Sequence, residues 1–148
     1  MLTENDVIQA VAEFLPSLGH AVESTCTTNQ RGVDIVARHA ATVRRLRVEA
    51  KGGTSSKEHT DRFGQGFNGG QVLSHVSRAL YKAAAMLRAY PADEVALALP
   101  DDEQHRRRIE AILPALGRLG ISVFFVGLDG SVRVGETGLF AAESTVVK

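Results

Sequence analysis

GVDIVARHAATVRRLRVEAKGG, running from Gly32 to Gly53, is the stretch whose reading decides the fold. It reads as two adjacent strands. The first is Val33 to Ala37; the second runs from about Thr42 to Lys51, with a short turn around His39 to Ala41 between them. In the second strand Leu46, Val48 and Ala50 alternate with Arg47, Glu49 and Lys51. A period of two puts the first three on one face and the last three on the other. Glu49 and Lys51 therefore project side by side from a strand whose opposite face is apolar. Asp34 interrupts an otherwise apolar run, where an isolated carboxylate is costly unless it is paired or binds a cation.

Two carboxylates and an ammonium converging at a strand end suit a hard divalent cation. Mg²⁺ prefers oxygen ligands, needs only one or two carboxylates and keeps several waters. Bound there, it polarises a phosphoryl oxygen and acidifies an attacking water. A lysine beside that water steers it or stabilises developing negative charge. This is the chemistry of phosphodiester hydrolysis. The plainer alternative makes Glu49 and Lys51 an exposed ion pair on one strand face and Asp34 a turn or cap residue.

Asp34, a short loop and then Glu49-Ala50-Lys51 resemble the PD-(D/E)xK nuclease superfamily, the restriction-endonuclease-like fold. The resemblance covers the chain from its first helix to about Val126. It lies nearest the Holliday-junction resolvase and Mrr-like restriction branches, in which G-x-D-I-x-A leads into a strand ending E-x-K. Val33 stands where proline is common before the aspartate. The resemblance implies that Asp34 and Glu49 ligate Mg²⁺, with Mn²⁺ as a substitute, and that Lys51 serves the attacking water. The backbone carbonyl of Ala50 is a further implied ligand. The first helix of such proteins often adds a glutamate near the metal, for which Glu4 is the better candidate and Glu13 the alternative; the positive N-terminal end of a helix accounts for Glu4 equally well. The helix after E-x-K carries a supporting glutamine in several branches, and Gln71 matches it loosely. His75 stands where some branches place a tyrosine.

The 148 residues fit one domain with a sizeable core, from residue 1 to 148. Hydrophobic residues make up 44% and charged residues 23%, ordinary for a globular protein. No apolar run is long enough to span a membrane, and the N-terminus lacks a signal-peptide pattern. Cys26 is the single cysteine, which excludes an internal disulfide and a cysteine zinc cluster. Together these predict a cytoplasmic protein. Seventeen basic and seventeen acidic residues balance, so DNA binding has to rest on local patches. Candidates are Arg44-Arg45-Arg47, Arg78 with Lys82 and Arg88, and Arg106-Arg107-Arg108; a solvated face is the alternative for each.

Along the chain, Thr3 to Leu18 reads as a helix with Thr3 and Asp6 as a capping box and Gly19 as terminator. His20 to Thr25 is a strand. Residues 52–70 form a glycine-rich polar loop, read as a DNA-facing segment with Lys57, Arg62 and His59 as phosphate contacts and Phe63 and Phe67 pinning it to the body. Gln71 to about Tyr90 is a long helix. Leu73, Val76, Leu80, Ala84 and Leu87 make its expected buried face, and Gln71, His75, Arg78 and Lys82 its polar stripe. Glu94 to Leu99 is a strand, and Asp101 to Leu113 a helix that Pro114 divides from Leu116 and Leu119. Ile121 to Val126 is a buried strand, and Asp129-Gly130 turns it back through Ser131 to Val134. Residues 135–148 are read as a tail. The five histidines have no zinc-ligand spacing and read as surface residues.

These readings predict an α/β fold of restriction-endonuclease-like type, a central mixed β-sheet flanked by helices. Its αβββαβ core is followed by a C-terminal helix and strands, with the first helix and the Gln71 helix on one side of the sheet. The predicted function is metal-dependent DNA endonuclease, with Asp34, Glu49, Lys51 and Gln71 catalytic and Lys57, Arg62, Arg78 and Lys82 contacting DNA. A nuclease-fold module that binds nucleic acid or protein without cutting is the first rival. An interaction module that dimerises is the second, and a homodimer is compatible with either reading.

Overall fold

The computed structural model describes residues 1–27, 29–54 and 66–135. Lys57, His59, Arg62 and Phe63 lie outside the described residues, as does the tail beyond 135. The elements run α1 (Glu4–Phe14), a 3-10 turn (Leu15–Leu18), β1 (His20–Thr25), β2 (Ile35–His39), β3 (Arg45–Ala50), α2 (Gly69–Ala89), β4 (Glu94–Pro100), α3 (Glu103–Glu110), α4 (Leu113–Leu119), β5 (Ile121–Val126) and β6 (Val132–Val134). The six strands form one mixed sheet in chain order. β1–β2, β2–β3 and β5–β6 are antiparallel, whereas β3–β4 and β4–β5 are parallel. This is an α/β architecture.

Local chemistry explains most boundaries. Thr3 Oγ1 accepts from the Asp6 N–H at 3.2 Å and an Asp6 carboxylate oxygen accepts from the Thr3 N–H at 2.8 Å, the reciprocal cap expected of that spacing. Gly19 ends the 3-10 turn at φ 85°, in the left-handed region where a Cβ is disfavoured. Pro114 falls in the first turn of α4, where its missing N–H costs nothing, so the predicted third helix is two short helices. The first strand of the opening hairpin begins at Ile35, leaving Asp34 just outside the ladder.

Parallel neighbours need a crossover, and helices supply both: α2 joins β3 to β4, and α3 with α4 joins β4 to β5. Crossovers of one hand that advance across a sheet in one direction fall on one face. On that face Val72, Val76, Ala79, Ala83 and Met86 of α2 meet Val95, Leu97 and Leu99 of β4, together with Ile109 and Leu116. The opposite face is left for α1, whose Val7, Ile8 and Val11 pack with Leu15 on Leu46, Val48 and Ala50 of β3 and on Phe124 of β5. The expectation that α1 and α2 share a side is therefore corrected: they sandwich the sheet. The expected buried face of α2 is corrected as well. Leu73 is 47% exposed, and the stripe that meets the sheet is rotated by one residue and is richer in alanine, which lets the helix approach closely.

β4 and β5, covered on both sides, are apolar nearly throughout, as parallel central strands are. β3 keeps the predicted alternation, with Leu46, Val48 and Ala50 wholly buried toward α1. Its far end is held by the N-terminal segment: the Gly53 N–H donates to the Leu2 carbonyl at 2.8 Å. A Cβ on Gly52 would overlap Glu4 N and stand 2.7 Å from Thr3 C. That close backbone approach brings the first turn of α1 to the end of β3. Among the described residues, no helix is long and apolar enough to cross a membrane.

Candidate active site

The β2–β3 ladder pairs Ile35 with Val48. Pairing ends there: Asp34 lies in a bend outside the ladder and meets β3 through its side chain. The ladder opens here. In place of a backbone acceptor, Asp34 Oδ2 takes the Ala50 N–H at 2.7 Å, while the Asp34 carbonyl accepts from the Cys26 N–H at 2.9 Å. Asp34 is thus tied to β3 by its side chain and is only 8% exposed. An extended residue directs its N–H and C=O toward the same neighbouring strand. The Ala50 carbonyl therefore faces the Asp34 side, where β2 has ceased to pair.

Glu49 is 5% exposed, and its Oε1 lies 3.4 Å from Lys51 Nζ and 3.4 Å from Lys82 Nζ. Lys51 comes from the end of β3 and is largely buried; Lys82 comes from α2 and is mostly exposed. Glu4 arrives from the first turn of α1. Burial raises its carboxyl above the ordinary range, the Lys51 ammonium opposes this, Glu49 adds to it and Lys82 again opposes it. Asp34 is pushed up to about 7. Burial is the main cause, the Ala50 N–H works against it, the Glu49 and Glu4 charges add to it and Lys51 lowers it. Three carboxyls and two ammoniums therefore sense one another at the carboxyl end of β3.

This donor set fits a divalent cation of the Mg²⁺ kind. The Asp34 and Glu49 carboxylates and the Ala50 carbonyl are the oxygens at this end of β3, and Mg²⁺ takes one or two carboxylates and completes its shell with water and phosphate. Among the described residues, no group of three or more His, Cys, Asp or Glu side chains is assembled to hold a metal by itself. The burial of both Asp34 and Glu49 is the observation that bears on the fit: buried acids at one place are what a cation relieves.

The remaining predicted residues take varied places. Gln71 and Asn68 form a reciprocal cap at the start of α2, with Gln71 Oε1 accepting the Asn68 N–H at 2.9 Å and Asn68 Oδ1 accepting the Gln71 N–H at 2.9 Å. Its carbonyl oxygen is thus committed to the helix start. Arg78 is exposed, one turn before Lys82 on the stripe the spacing predicts, and makes no ion pair among the described residues. Lys82, expected to contact phosphate, reaches Glu49. Lys57 and Arg62 lie outside the described residues. Phe67 does pin its segment, packing edge-on against the His75 ring at 4.5 Å.

Two expectations about charge are corrected. Arg44-Arg45-Arg47 is not a free basic patch: Arg44 faces Glu94 at 3.9 Å, Arg45 faces Glu23 at 2.9 Å and Arg47 faces Asp93 at 2.7 Å. The histidines are not all on the surface, since His20 and His105 are buried and the His105 ring nitrogen Nδ1 sits 2.8 Å from the Asp102 carboxylate. The Asp102-x-x-His105 spacing at a helix start is the signal that could have revealed that pair. His75 borders the site. Burial, then Lys51, Arg78 and His105, hold its imidazole below the ordinary range.

Comparison of the chain with protein-family models, with curated proteins and with solved structures finds no match.

Proposed function

We propose that this protein is a metal-dependent endonuclease of restriction-endonuclease-like fold that hydrolyses phosphodiester bonds in DNA. One observation carries the reading: Asp34, which takes the Ala50 N–H, and Glu49 are both buried at the end of β3, with the Lys51 ammonium 3.4 Å from Glu49. The αβββαβ order of elements supports it.

Asp34, Glu49 and the Ala50 carbonyl would hold the cation, with Glu4 adjoining. When bound, Mg²⁺ supplies Lewis acidity toward a phosphoryl oxygen and an acidified water. Asp34, held by the Ala50 N–H, offers its second oxygen in a fixed direction. Lys51 would orient the water and stabilise charge on the phosphoryl oxygens as the water oxygen bonds to phosphorus and releases a proton to solvent, while the bridging P–O bond breaks and its departing oxygen takes a proton from solvent. Arg78, exposed and without an ion pair among the described residues, is suited to a backbone phosphate.

A binding module that does not cut is the second reading, and the two ammoniums already satisfying Glu49 favour it. A plasmid-nicking assay in Mg²⁺ and in EDTA separates the two. The wild type nicks only with the metal, and Lys51→Ala and Asp34→Ala abolish nicking while circular dichroism shows a retained fold. Undiminished nicking by Lys51→Ala would place the activity elsewhere.

A further inference from the structure

We propose that Lys82 is a built-in second cation of this site, so that the site admits one divalent ion and not two. The inference rests on the hydrolase reading above. Phosphodiester-cleaving centres with two metals set them about 3.5–4 Å apart, one toward the attacking oxygen and one toward the leaving oxygen. Here two positive groups already converge on a single carboxylate oxygen: Glu49 Oε1 is 3.4 Å from Lys51 Nζ and 3.4 Å from Lys82 Nζ. The two lysines come from different elements. Lys51 continues β3 and is 14% exposed, whereas Lys82 reaches across from α2 and is 59% exposed.

Charge count sharpens the point. Glu4, Asp34 and Glu49 set three carboxyls against the two ammoniums, an excess of one negative charge when all are ionised. One dication overturns that excess, and a second would enter a positive site whose Glu49 Oε1 is already shared. A long lysine on a helix leans toward the helix N-terminus, and Lys82 reaches from α2 to Glu49 near the end of β3. The Lys82 side chain is 59% exposed while its ammonium reaches Glu49, so it can face the leaving oxygen of an approaching strand and stabilise the charge that develops there.

The test uses the whole chain. Lysine and methionine are similar helix formers and Lys82 is exposed, so Lys82→Met keeps α2. Calorimetric titration with Mn²⁺ is expected to count one ion per chain for the wild type and for Lys82→Arg. Lys82→Met is expected to bind two, the first at least about tenfold more tightly because one opposing charge has gone. Nicking should vary with the first power of Mg²⁺ concentration in the wild type and with the second power in Lys82→Met. A Lys82→Met protein that binds one ion with wild-type affinity, or a wild type that binds two, overturns the proposal and leaves the hydrolase reading standing. A wild type that neither binds Mn²⁺ nor nicks DNA overturns both.

Discussion

The polar face of β3 carries two charged clusters only two residues apart, and they are built on opposite principles. Around Arg47 every charge is answered. Its guanidinium donates to Asp93 at 2.7 Å and lies 3.4 Å above the centre of the Tyr90 ring, where α2 ends. Nearby, Arg44 pairs with Glu94 and Arg45 with Glu23. Around Glu49 the acids outnumber the bases, and burial with like charge drives Asp34 up to about 7. A closed cluster of the first kind contributes to folding. A buried excess of the second kind opposes folding and is expected where a protein keeps groups for chemistry. Within one strand, the contrast separates scaffold from candidate site without appeal to any relative.

The largest effect should come from the open cluster. A carboxyl whose folded pKa is raised holds its proton longer in the folded state, so the stability it contributes is present below the unfolded value of 3.8 and is lost as pH rises toward about 7. Between pH 4 and pH 8 the ionisation of Asp34 should cost the metal-free protein about 3 kcal/mol. Asp34→Asn retains an oxygen for the Ala50 N–H and removes the charge. Denaturant unfolding in EDTA should therefore find the variant more stable than wild type at pH 8 and no different near pH 4. Parallel stability curves for the two proteins would erase the distinction between the clusters. Excess Mn²⁺ should restore much of the wild-type stability at pH 8 by binding the folded state.

A smaller effect is expected at the closed end. Arg47→Ala leaves Asp93 partly buried without its partner and strips the cation from Tyr90. Unfolding in urea should show a loss of about 2 kcal/mol, with Mn²⁺ affinity unchanged. A fall in that affinity would mean that the two clusters act as one electrostatic unit. The smallest change belongs to Arg44→Ala. At 3.9 Å from Glu94 and 61% exposed, Arg44 pairs loosely, and its removal should alter stability by no more than about 0.5 kcal/mol.

Much of the site was legible because its core is local. Asp34, Glu49 and Lys51 lie within one hairpin, and the period of two alone assigns Glu49 and Lys51 to one face. The cap at Thr3, the stop at Gly19 and the division at Pro114 are likewise local and were readable. Lys82 was not, at least not as a partner of Glu49. Its spacing puts it on the stripe of Arg78, yet a stripe says nothing of what lies opposite. The arginines of the hairpin misled for the same reason, since Glu23, Asp93 and Glu94 answer them from β1 and from the start of β4. The buried stripe of α2 also lay one residue from where leucine content alone would put it. Leucine marks an apolar surface, but the small Ala79 and Ala83 mark where a helix can come closest to a sheet.

By itself the sequence determined the order of elements, the alternating faces of β3 and the presence of an acid pair with an adjoining lysine, because hydrogen-bond period, capping and side-chain alternation act between residues a few positions apart. Tertiary structure alone decided that α1 and α2 cover opposite faces, that Glu4 comes to the end of β3 over Gly52, and that a lysine from α2 meets Glu49. Those outcomes follow from the direction in which successive crossovers advance across the sheet and from close backbone approach. Both are relations between elements far apart in the chain, and no local period encodes them.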